Sequence, residues 1–294
     1  MLAPTVTSKY LNKKAETRVA IGATYEGRDP RLLESMLPLV DCIEVTLETI
    51  AEVNDGEISL NKEIMSELKN MGKAAQIIVH GVSLSIGSYE GLSPTYLRLL
   101  DDFLEQVDVA WHSEHLGYTK VDGQHLGIML AMPKTEEALD TVCERVRLIQ
   151  ERYRMPFLLE NIVHVLPDAP AEYSDAGFLN ALADRTDCGL ILDVYNLECD
   201  AHNHKFDIPA FLDELEMTNV RELHVACGVE HNGFLLDVHS RLTRPSTMEL
   251  AQQVVERSAI AEVVVYEFMP EAVPGLGYEA IAGELGRLRA AFRN

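Results

Sequence analysis

Residues whose side chains bind metal ions stand at the ends of short apolar segments along this sequence. The segment IIVH ends at His80, and the segment VAWHSEH ends at His115. Residues of the same types end or closely follow the later segments: Glu160, Asn161, Asp193, His224, Asp237, His239 and Glu267. Imidazole, carboxylate and amide groups together form a mixed nitrogen and oxygen ligand set that suits iron, manganese or zinc.

The apolar segments that carry these residues are predicted to be strands of a parallel sheet. They are rich in Val, Ile and Leu and barely alternate with polar residues, which is typical of strands buried on both faces. Amphipathic helices are predicted between them, for example at Thr135–Arg154 and Tyr278–Phe292. The predicted strands are Arg18–Ala23, Cys42–Leu47, Ala75–His80, Val107–Trp111, Pro156–Glu160, Gly189–Val194, Arg221–Val225 and Glu262–Glu267.

Eight strands that alternate with helices predict an α/β fold, a closed (β/α)8 TIM barrel. The chain has 294 residues, which is close to the usual length of such a barrel. The predicted organisation is therefore an N-terminal arm over residues 1–15 and a single barrel domain over residues 16–294. The alternative is an open doubly wound sheet, but Gly22-Ala-Thr-Tyr-Glu-Gly27 does not have its GxGxxG spacing.

A barrel would bring the candidate ligands together, because the carboxyl ends of its strands meet at one mouth. Each residue alone has an ordinary explanation as a hydrogen-bonded core histidine or a paired carboxylate. Together, the carboxylates would repel one another and their pKa values would rise, a penalty that divalent cations remove. The donors outnumber what one ion can use, so the sequence predicts two or three metal ions. This ligand chemistry fits redox iron or a hydrolytic metal cluster.

The composition of the chain argues against nucleic acid as a partner, against a membrane span and against a thiolate zinc site. The chain has 25 Lys and Arg against 47 Asp and Glu, a formal net charge of -22, so nucleic-acid binding is not expected. No stretch reaches the roughly 20 apolar residues of a membrane span. The first residues are polar and lack the apolar core of a signal peptide, so a cytoplasmic location is expected. None of the five cysteines forms a CxxC pair, which argues against a thiolate zinc site.

Several motifs follow one another between about residues 18 and 290. They are His80-Gly-Val-Ser-Leu-Ser-Ile-Gly-Ser88, Ser113-Glu-His-Leu116, Glu160-Asn-Ile162, Leu192-Asp-Val-Tyr-Asn196, His224-Val-Ala226, Asp237-Val-His239 and Glu267. In this order they resemble the multinuclear non-haem iron-dependent oxidative enzymes, the family that includes the methanobactin biosynthesis oxygenase. The HGVxLSxGS and SEHL motifs are distinctive, whereas ENI and LDxxN are weak individually.

The resemblance implies a xylose isomerase-like barrel with two or three iron ions at its mouth. It also implies an oxidase or oxygenase that uses dioxygen to modify a residue, cysteine above all, of a ribosomally made precursor peptide. A small partner protein that binds the leader of the peptide is implied as well. Two departures concern substrate contacts: Cys227-Gly follows His224-Val-Ala where family members often have AGH, and Gly22-Ala-Thr replaces a GxGLR-like opening.

The resemblance also distributes the ligands among three ions. One iron would be held by Glu160, Asp193, His224 and Glu267, and a second by His80, His115 and a bridging Glu160. A third would be held by Asn161, Asp237 and His239. Catalytic roles fall to Glu160, His115 and Asp193. Four further residues are expected either to contact the substrate or to hold the ligands from behind: His112, Asn196, Asn203 and His204.

Three other functions remain open from the sequence. A sugar isomerase or epimerase on a similar barrel would use Glu160 and Glu267 to hold one or two metal ions. A metal-dependent phosphodiester hydrolase would use three ions, although the net charge of -22 disfavours it. A metal-binding protein without turnover is the third possibility.

Overall fold

The computed structural model of the protein describes residues 19–166 and 171–293. The N-terminal arm predicted over residues 1–15 lies outside this part of the chain. No helix within the described residues combines the length and the apolar character that crossing a membrane requires.

Eight parallel strands form a closed barrel in which each strand pairs with its neighbours in chain order. They are β1 (Ala20–Thr24), β2 (Cys42–Val45), β3 (Gln76–Gly81), β4 (Val109–His115), β5 (Phe157–Glu160), β6 (Gly189–Asp193), β7 (Val220–Val225) and β8 (Val263–Tyr266). Each overlaps a predicted strand, so the predicted (β/α)8 barrel is confirmed. The register aligns the candidate ligands, since His115 lies beside Glu160 and Asp193 beside His224.

Helices connect the strands around the outside of the barrel. They are α1 (Pro30–Met36), α2 (Lys62–Met71), α3 (Pro94–Leu104), α4 (Glu136–Tyr153), α5 (Asp175–Thr186), α6 (Val194–His204), α7 (Ile208–Glu214), α8 (Pro245–Arg257), α9 (Val273–Leu276) and α10 (Tyr278–Phe292). Side chains with oxygen acceptors fix several helix starts: Thr135 caps α4, and Asp193 caps α6 by accepting from the Asn196 N–H. The end of β6 therefore leads directly into a helix.

The interior of the barrel is filled by alternate residues of its strands. A buried apolar cluster contains Cys42, Ile78, Trp111, Leu158, Ile191, Val263 and Val265. Because side chains two positions apart on a strand share a face, the next interior residues after Ile78, Leu158 and Ile191 are His80, Glu160 and Asp193. The strands thus place a layer of polar side chains on top of an apolar layer.

Three antiparallel hairpins interrupt the loops between strands and helices. They pair Ala51–Asn54 with Glu57–Leu60, Gly117–Val121 with Gln124–Ala131, and Val229–His231 with Phe234–Leu236. The second, which we call the cleft hairpin, begins just after β4. The third, which we call the ligand hairpin, ends just before Asp237. None of the three was predicted from the sequence.

Candidate metal centre

Two overlapping groups of ligand atoms converge where β3 to β8 end. The first contains His80, His115 and Glu160, and the second contains Glu160, Asp193, His224 and Glu267. A further combination, His80 with His224 and Glu267, joins members of both groups. In each group the candidate ligand atoms all lie within 4.8 Å of one another. The barrel therefore brings together six of the residues predicted as ligands, and Glu160 is common to both groups. Asp237 and His239 are described separately below.

In the first pocket three atoms surround one point. Glu160 Oε2 lies 3.0 Å from His80 Nε2 and 3.4 Å from His115 Nε2, and the two nitrogens are 3.4 Å apart. Ligands held about 2.0–2.2 Å from a metal ion are themselves separated by about 3–3.4 Å. The spacing of these three atoms therefore matches the spacing of ligands around one transition-metal ion.

Hydrogen bonds behind the two imidazoles aim their Nε2 atoms into this pocket. The Ser113 hydroxyl donates to the Val79 carbonyl at 3.1 Å, so it accepts from His80 Nδ1, which is 2.9 Å away. His115 Nδ1 donates to the Gly81 carbonyl at 2.9 Å. With both Nδ1 atoms protonated, the Nε2 lone pairs are free to bind a metal ion.

The second pocket has the same spacing on the other side of Glu160. His224 Nδ1 lies 3.2 Å from Glu160 Oε1 and 3.1 Å from Glu267 Oε2. Asp193 belongs to the same group of atoms, and its Oδ1 accepts from the Asn196 N–H at 2.8 Å. Glu160 thus offers Oε2 to the first pocket and Oε1 to the second, which is the arrangement of a carboxylate that bridges two ions.

Asp237 and His239 lie next to the second pocket. His239 Nε2 is 2.8 Å from Asp237 Oδ1 and 3.9 Å from Glu267 Oε2. His239 has a φ of 43°, a left-handed conformation that non-glycine residues seldom adopt and that is typical of constrained functional loops. This pair comprises two of the three residues to which the resemblance assigns a third ion, an assignment that stays a prediction.

The charges of the centre shift the pKa values of its members in opposite directions. Burial disfavours the charged form of His115, yet Glu160 and Glu114 raise its pKa to about 10. Burial and the charges of Asp237, Glu160 and Glu267 raise the pKa of Asp193 well above its ordinary value. Although burial opposes it, His224 and His239 lower the pKa of Glu267 to about 2. A site that holds protons on imidazoles this strongly has a negative potential that also attracts metal cations.

Buried polar atoms that lack partners give an independent test of whether the site fits metal ions. Within residues 19–166 and 171–293, no hydrogen-bond partner is found for five such atoms of the centre: Glu160 Oε2, Asp193 Oδ2, Glu267 Oε2, Asp237 Oδ1 and His239 Nε2. Buried polar groups are rarely left unpaired unless an ion or a water binds them. The donor set and its orphaned atoms therefore fit transition-metal ions.

The amide of Asn161 has a different environment from the one expected of a ligand. Its Oδ1 accepts from the Asp193 N–H at 2.8 Å, and its Nδ2 donates to the Asp193 carbonyl at 3.1 Å. The Asn196 amide in turn donates to the Asn161 carbonyl at 3.1 Å. Both asparagines hold the backbone at the end of β6, so they position Asp193. The ligand role predicted for Asn161 stays a prediction.

Three of the residues predicted to contact the substrate or to lie behind the ligands bond to groups other than the candidate ligands. His112 is fully buried outside the barrel, where its Nε2 is 3.0 Å from the Tyr96 hydroxyl and its ring packs on Phe157. Burial lowers the pKa of His112 to about 3. Asn203 bonds to both backbone groups of Leu235, and His204 bonds to the His164 carbonyl. The role predicted for His112, Asn203 and His204, in contact with the substrate or behind the ligands, stays a prediction.

The structure adds residues that the sequence analysis did not include among the site residues. Glu44 and Glu222 are buried below the centre, and both approach His224. Ser113 orients His80, as described above. Glu222 and Ser113 each stand two residues before a candidate ligand, so the strand period was a signal that could have found them.

A cleft of about 620 Å³ opens above the ligands. His80, His115, Asp237, His239 and Glu267 line its polar part, and residues of the cleft hairpin, including Ile128 and Met129, line an apolar wall. Glu26 also lines the cleft, and burial together with the charge of Glu271 raises its pKa to about 7. A pocket of this size holds one or two amino-acid side chains next to the metal centre.

Comparison with known proteins decides which barrel family this is. A model of the RiPP precursor modification enzymes MbnB/TglH/ChrH, where RiPP denotes a ribosomally made and modified peptide, matches residues 29–273. The chain belongs to this family. The family membership predicted from the motifs is thereby confirmed, and it makes the chain a member of a group of enzymes that modify precursor peptides.

Two relatives of the chain have names that state no activity. A UPF0276 protein of Anaeromyxobacter sp. (strain Fw109-5) is 31% identical over 236 residues, which is 80% of this chain and 82% of the relative. A UPF0276 protein of Caulobacter vibrioides (strain NA1000 / CB15N) is 33% identical over 228 residues, 76% of this chain and 78% of the relative.

Two solved structures of other proteins have the same fold as this chain. L-ribulose 3-epimerase aligns with a TM-score of 0.60 at 11% identity, over 94% of this chain and 95% of the other. The IOLI protein with a bound zinc atom aligns with a TM-score of 0.58 at 13% identity, over 93% and 98%. At this identity the likeness establishes the xylose isomerase-like barrel and nothing about activity.

Proposed function

We propose that the protein is a multinuclear non-haem iron oxidase or oxygenase that modifies a residue, cysteine first of all, of a ribosomally made precursor peptide with dioxygen. The observation that carries the proposal is the position of Glu160. Its Oε2 faces the imidazoles of His80 and His115, and its Oε1 faces the imidazole of His224. This is the ligand arrangement of a centre with two ions that share one carboxylate. Membership of a peptide-modifying family supplies the substrate class.

The residues would hold the ions in three places. His80, His115 and Glu160 would hold one ion, and Glu160, Asp193, His224 and Glu267 would hold another. Asp237 and His239 would hold a third, more exposed ion. Oxygen and imidazole donors without thiolates suit iron. Bound iron would supply one-electron oxidation, which amino-acid side chains cannot perform themselves.

The protein's own groups prepare the substrate for this chemistry. The apolar wall of the cleft hairpin would exclude water from an entering side chain and hold it over His80 and His115. Glu26, whose pKa is raised to about 7, would take the thiol proton on its carboxylate at neutral pH. Asn161 and Asn196 would keep Asp193 in place through the backbone of β6.

A small partner protein that recognises the peptide leader is part of the proposal, on the strength of the family resemblance. The cleft accommodates side chains but little more, so recognition of a long leader would need another surface. The location we propose for the protein is the cytoplasm, where precursor peptides are made.

The test is an oxidation assay with the chain loaded anaerobically with Fe²⁺. We expect bound iron, consumption of dioxygen that depends on the precursor peptide and its partner protein, and a change of peptide mass at a cysteine. Glu160→Gln should abolish the mass change. Glu284→Gln should not, because Glu284 is a buried carboxylate of α10 that bonds to Thr243 and Arg287. A chain that takes up no iron under these conditions would refute the proposal.

A further inference from the structure

The imidazole of His224 has buried carboxylates at both of its nitrogen atoms. Nδ1 faces Glu160 and Glu267 in the second pocket, at 3.2 and 3.1 Å. Nε2, on the opposite edge of the ring, lies 3.3 Å from Glu44 Oε2 and 3.5 Å from Glu222 Oε1. Glu44 and Glu222 lie on the far side of the ring from the candidate ion, so they are not among its ligands.

These two carboxylates are sealed inside the barrel. Glu44 is 1% exposed and Glu222 is 0% exposed. Trp111 Nε1 donates to Glu222 Oε2 at 2.7 Å. Considering only the residues that the structure describes, Glu222 Oε1 and both oxygens of Glu44 have no hydrogen-bond partner. Burying a carboxylate without a donor is costly, and an N–H on His224 Nε2 is within reach of both residues.

We propose that Glu44 and Glu222 are positioning residues of the metal centre, which share the Nε2–H of His224 and so leave Nδ1 as the ligand atom. This inference rests on the proposed function, because it assumes that His224, Glu160, Asp193 and Glu267 hold a metal ion. A carboxylate behind a ligating imidazole fixes which nitrogen carries the proton and makes the other nitrogen a stronger donor to the metal.

The two pockets then differ in the chemistry of their histidines. His80 and His115 present Nε2 and donate through Nδ1 to the Ser113 hydroxyl and the Gly81 carbonyl; one carboxylate, Glu114, lies 3.7 Å from His115 Nδ1. The Nε2 of His224 instead faces two carboxylates, and its Nδ1 faces the second pocket. The pocket of His224 therefore has the more electron-rich imidazole and is expected to bind a divalent ion more tightly than the pocket of His80 and His115.

The first experiment reads the proton positions in the unaltered protein. The chain is labelled with ¹⁵N-histidine and loaded with Zn²⁺, which is diamagnetic, and the ring nitrogens are observed by NMR. We expect metal-bound Nδ1 and protonated Nε2 at His224, and the reverse at His80 and His115. The His224 signals are identified by their loss in His224→Gln. A His224 that binds Zn²⁺ through Nε2 would overturn the inference.

The second experiment removes the charge of the positioning residues. Glu44→Gln and Glu222→Gln should each weaken Zn²⁺ or Fe²⁺ binding at the His224 pocket by about 10–100-fold, the usual effect of losing such a partner. Glu284→Gln, which also neutralises a carboxylate that is 1% exposed, should leave the affinity unchanged. Unchanged affinity in both positioning variants, or a metal ion bound between Glu44 and Glu222 themselves, contradicts the inference.

Neither experiment contains a peptide or dioxygen. If the unaltered chain binds no Zn²⁺ or Fe²⁺, the proposed function fails together with this inference. If it binds them but His224 uses Nε2, only the inference fails. The NMR measurement needs no variant of Glu44 or Glu222, so it remains decisive if either substitution prevents folding.

Discussion

Glu160 is the residue on which both pockets depend. It stands at the end of β5, is 1% exposed, and has a pKa that His224, His115 and His80 hold well below its ordinary value although burial would raise it. Because each of its oxygens faces a different pocket, no other residue of the centre can replace it as a bridge between the two sites described here.

We expect Glu160→Gln to remove more bound metal than His115→Gln. The amide has one acceptor oxygen and no charge, so it cannot serve both pockets, whereas loss of His115 weakens the first pocket alone. Metal analysis after anaerobic Fe²⁺ loading measures both variants, with Glu284→Gln as the control. Equal metal loss in the two variants would argue against a bridging role for Glu160.

Glu26 gives a pH dependence that can be tested without metal. Its pKa is raised from 4.5 to about 7, mainly by burial, so the fold favours the protonated carboxyl. The stabilisation from this group is complete below about pH 4.5 and is lost as the pH rises through about 7. Glu26→Gln, which mimics the protonated form, should raise the unfolding midpoint at pH 8 and leave it unchanged at pH 4. Thermal unfolding followed by circular dichroism at the two pH values checks this, and a midpoint raised equally at both would contradict it.

The choice between neighbouring residues on one strand illustrates what sequence can and cannot decide at this scale. Strand period places Trp111, Ser113 and His115 on one face of β4 and His112 on the other. His112 was therefore separable from His115 in principle, once the strand was known to reach residue 115. The pairing of Asn161 with the backbone of Asp193 was not predictable, since it depends on the register between β5 and β6.

At the scale of elements, the barrel strands were predictable and the hairpins were not. A strand buried on both faces gives a continuous apolar run such as GLILD in β6. The ligand hairpin has strands of only three residues, largely exposed, and such short segments have no period to detect. Yet the hairpin matters for the centre, because it leads into Asp237 and His239.

Asn203 links α6 to the ligand hairpin, beside His202, whose Nε2 is 3.0 Å from the Gly233 carbonyl. Its amide accepts from the Leu235 N–H and donates to the Leu235 carbonyl, both at 2.9 Å. We expect Asn203→Ala to increase hydrogen exchange over residues 229–239 and to weaken the ion at Asp237 and His239 by about tenfold, while the other pockets keep their metal. The matched control is Asn180→Ala, since Asn180 bonds in the same way to the backbone of Glu214 and Glu216. Unchanged exchange in the ligand hairpin would show that other contacts hold it.

At the scale of the whole molecule, the metal centre closes the top of the barrel core. Below it lies the apolar layer of Ile78, Trp111, Leu158 and Ile191, and the ligands belong to strands from β3 to β8 and the segments after them. An ion bound there connects strands that are far apart in sequence. The gathered carboxylates repel one another in a chain that already carries a net charge of -22.

Metal binding should therefore stabilise the entire fold and not only the mouth of the barrel. An ion that binds the folded chain alone adds about 2.7 kcal/mol at a free concentration 100 times its dissociation constant. We expect Fe²⁺ or Zn²⁺ to raise the unfolding midpoint by several degrees and a chelator to reverse the change. In Glu160→Gln the increment should nearly vanish, whereas in Glu284→Gln it should be retained. Scanning calorimetry of the three proteins with and without metal measures the increments. An equal increment in all three would place the stabilising ion outside the pockets that Glu160 joins.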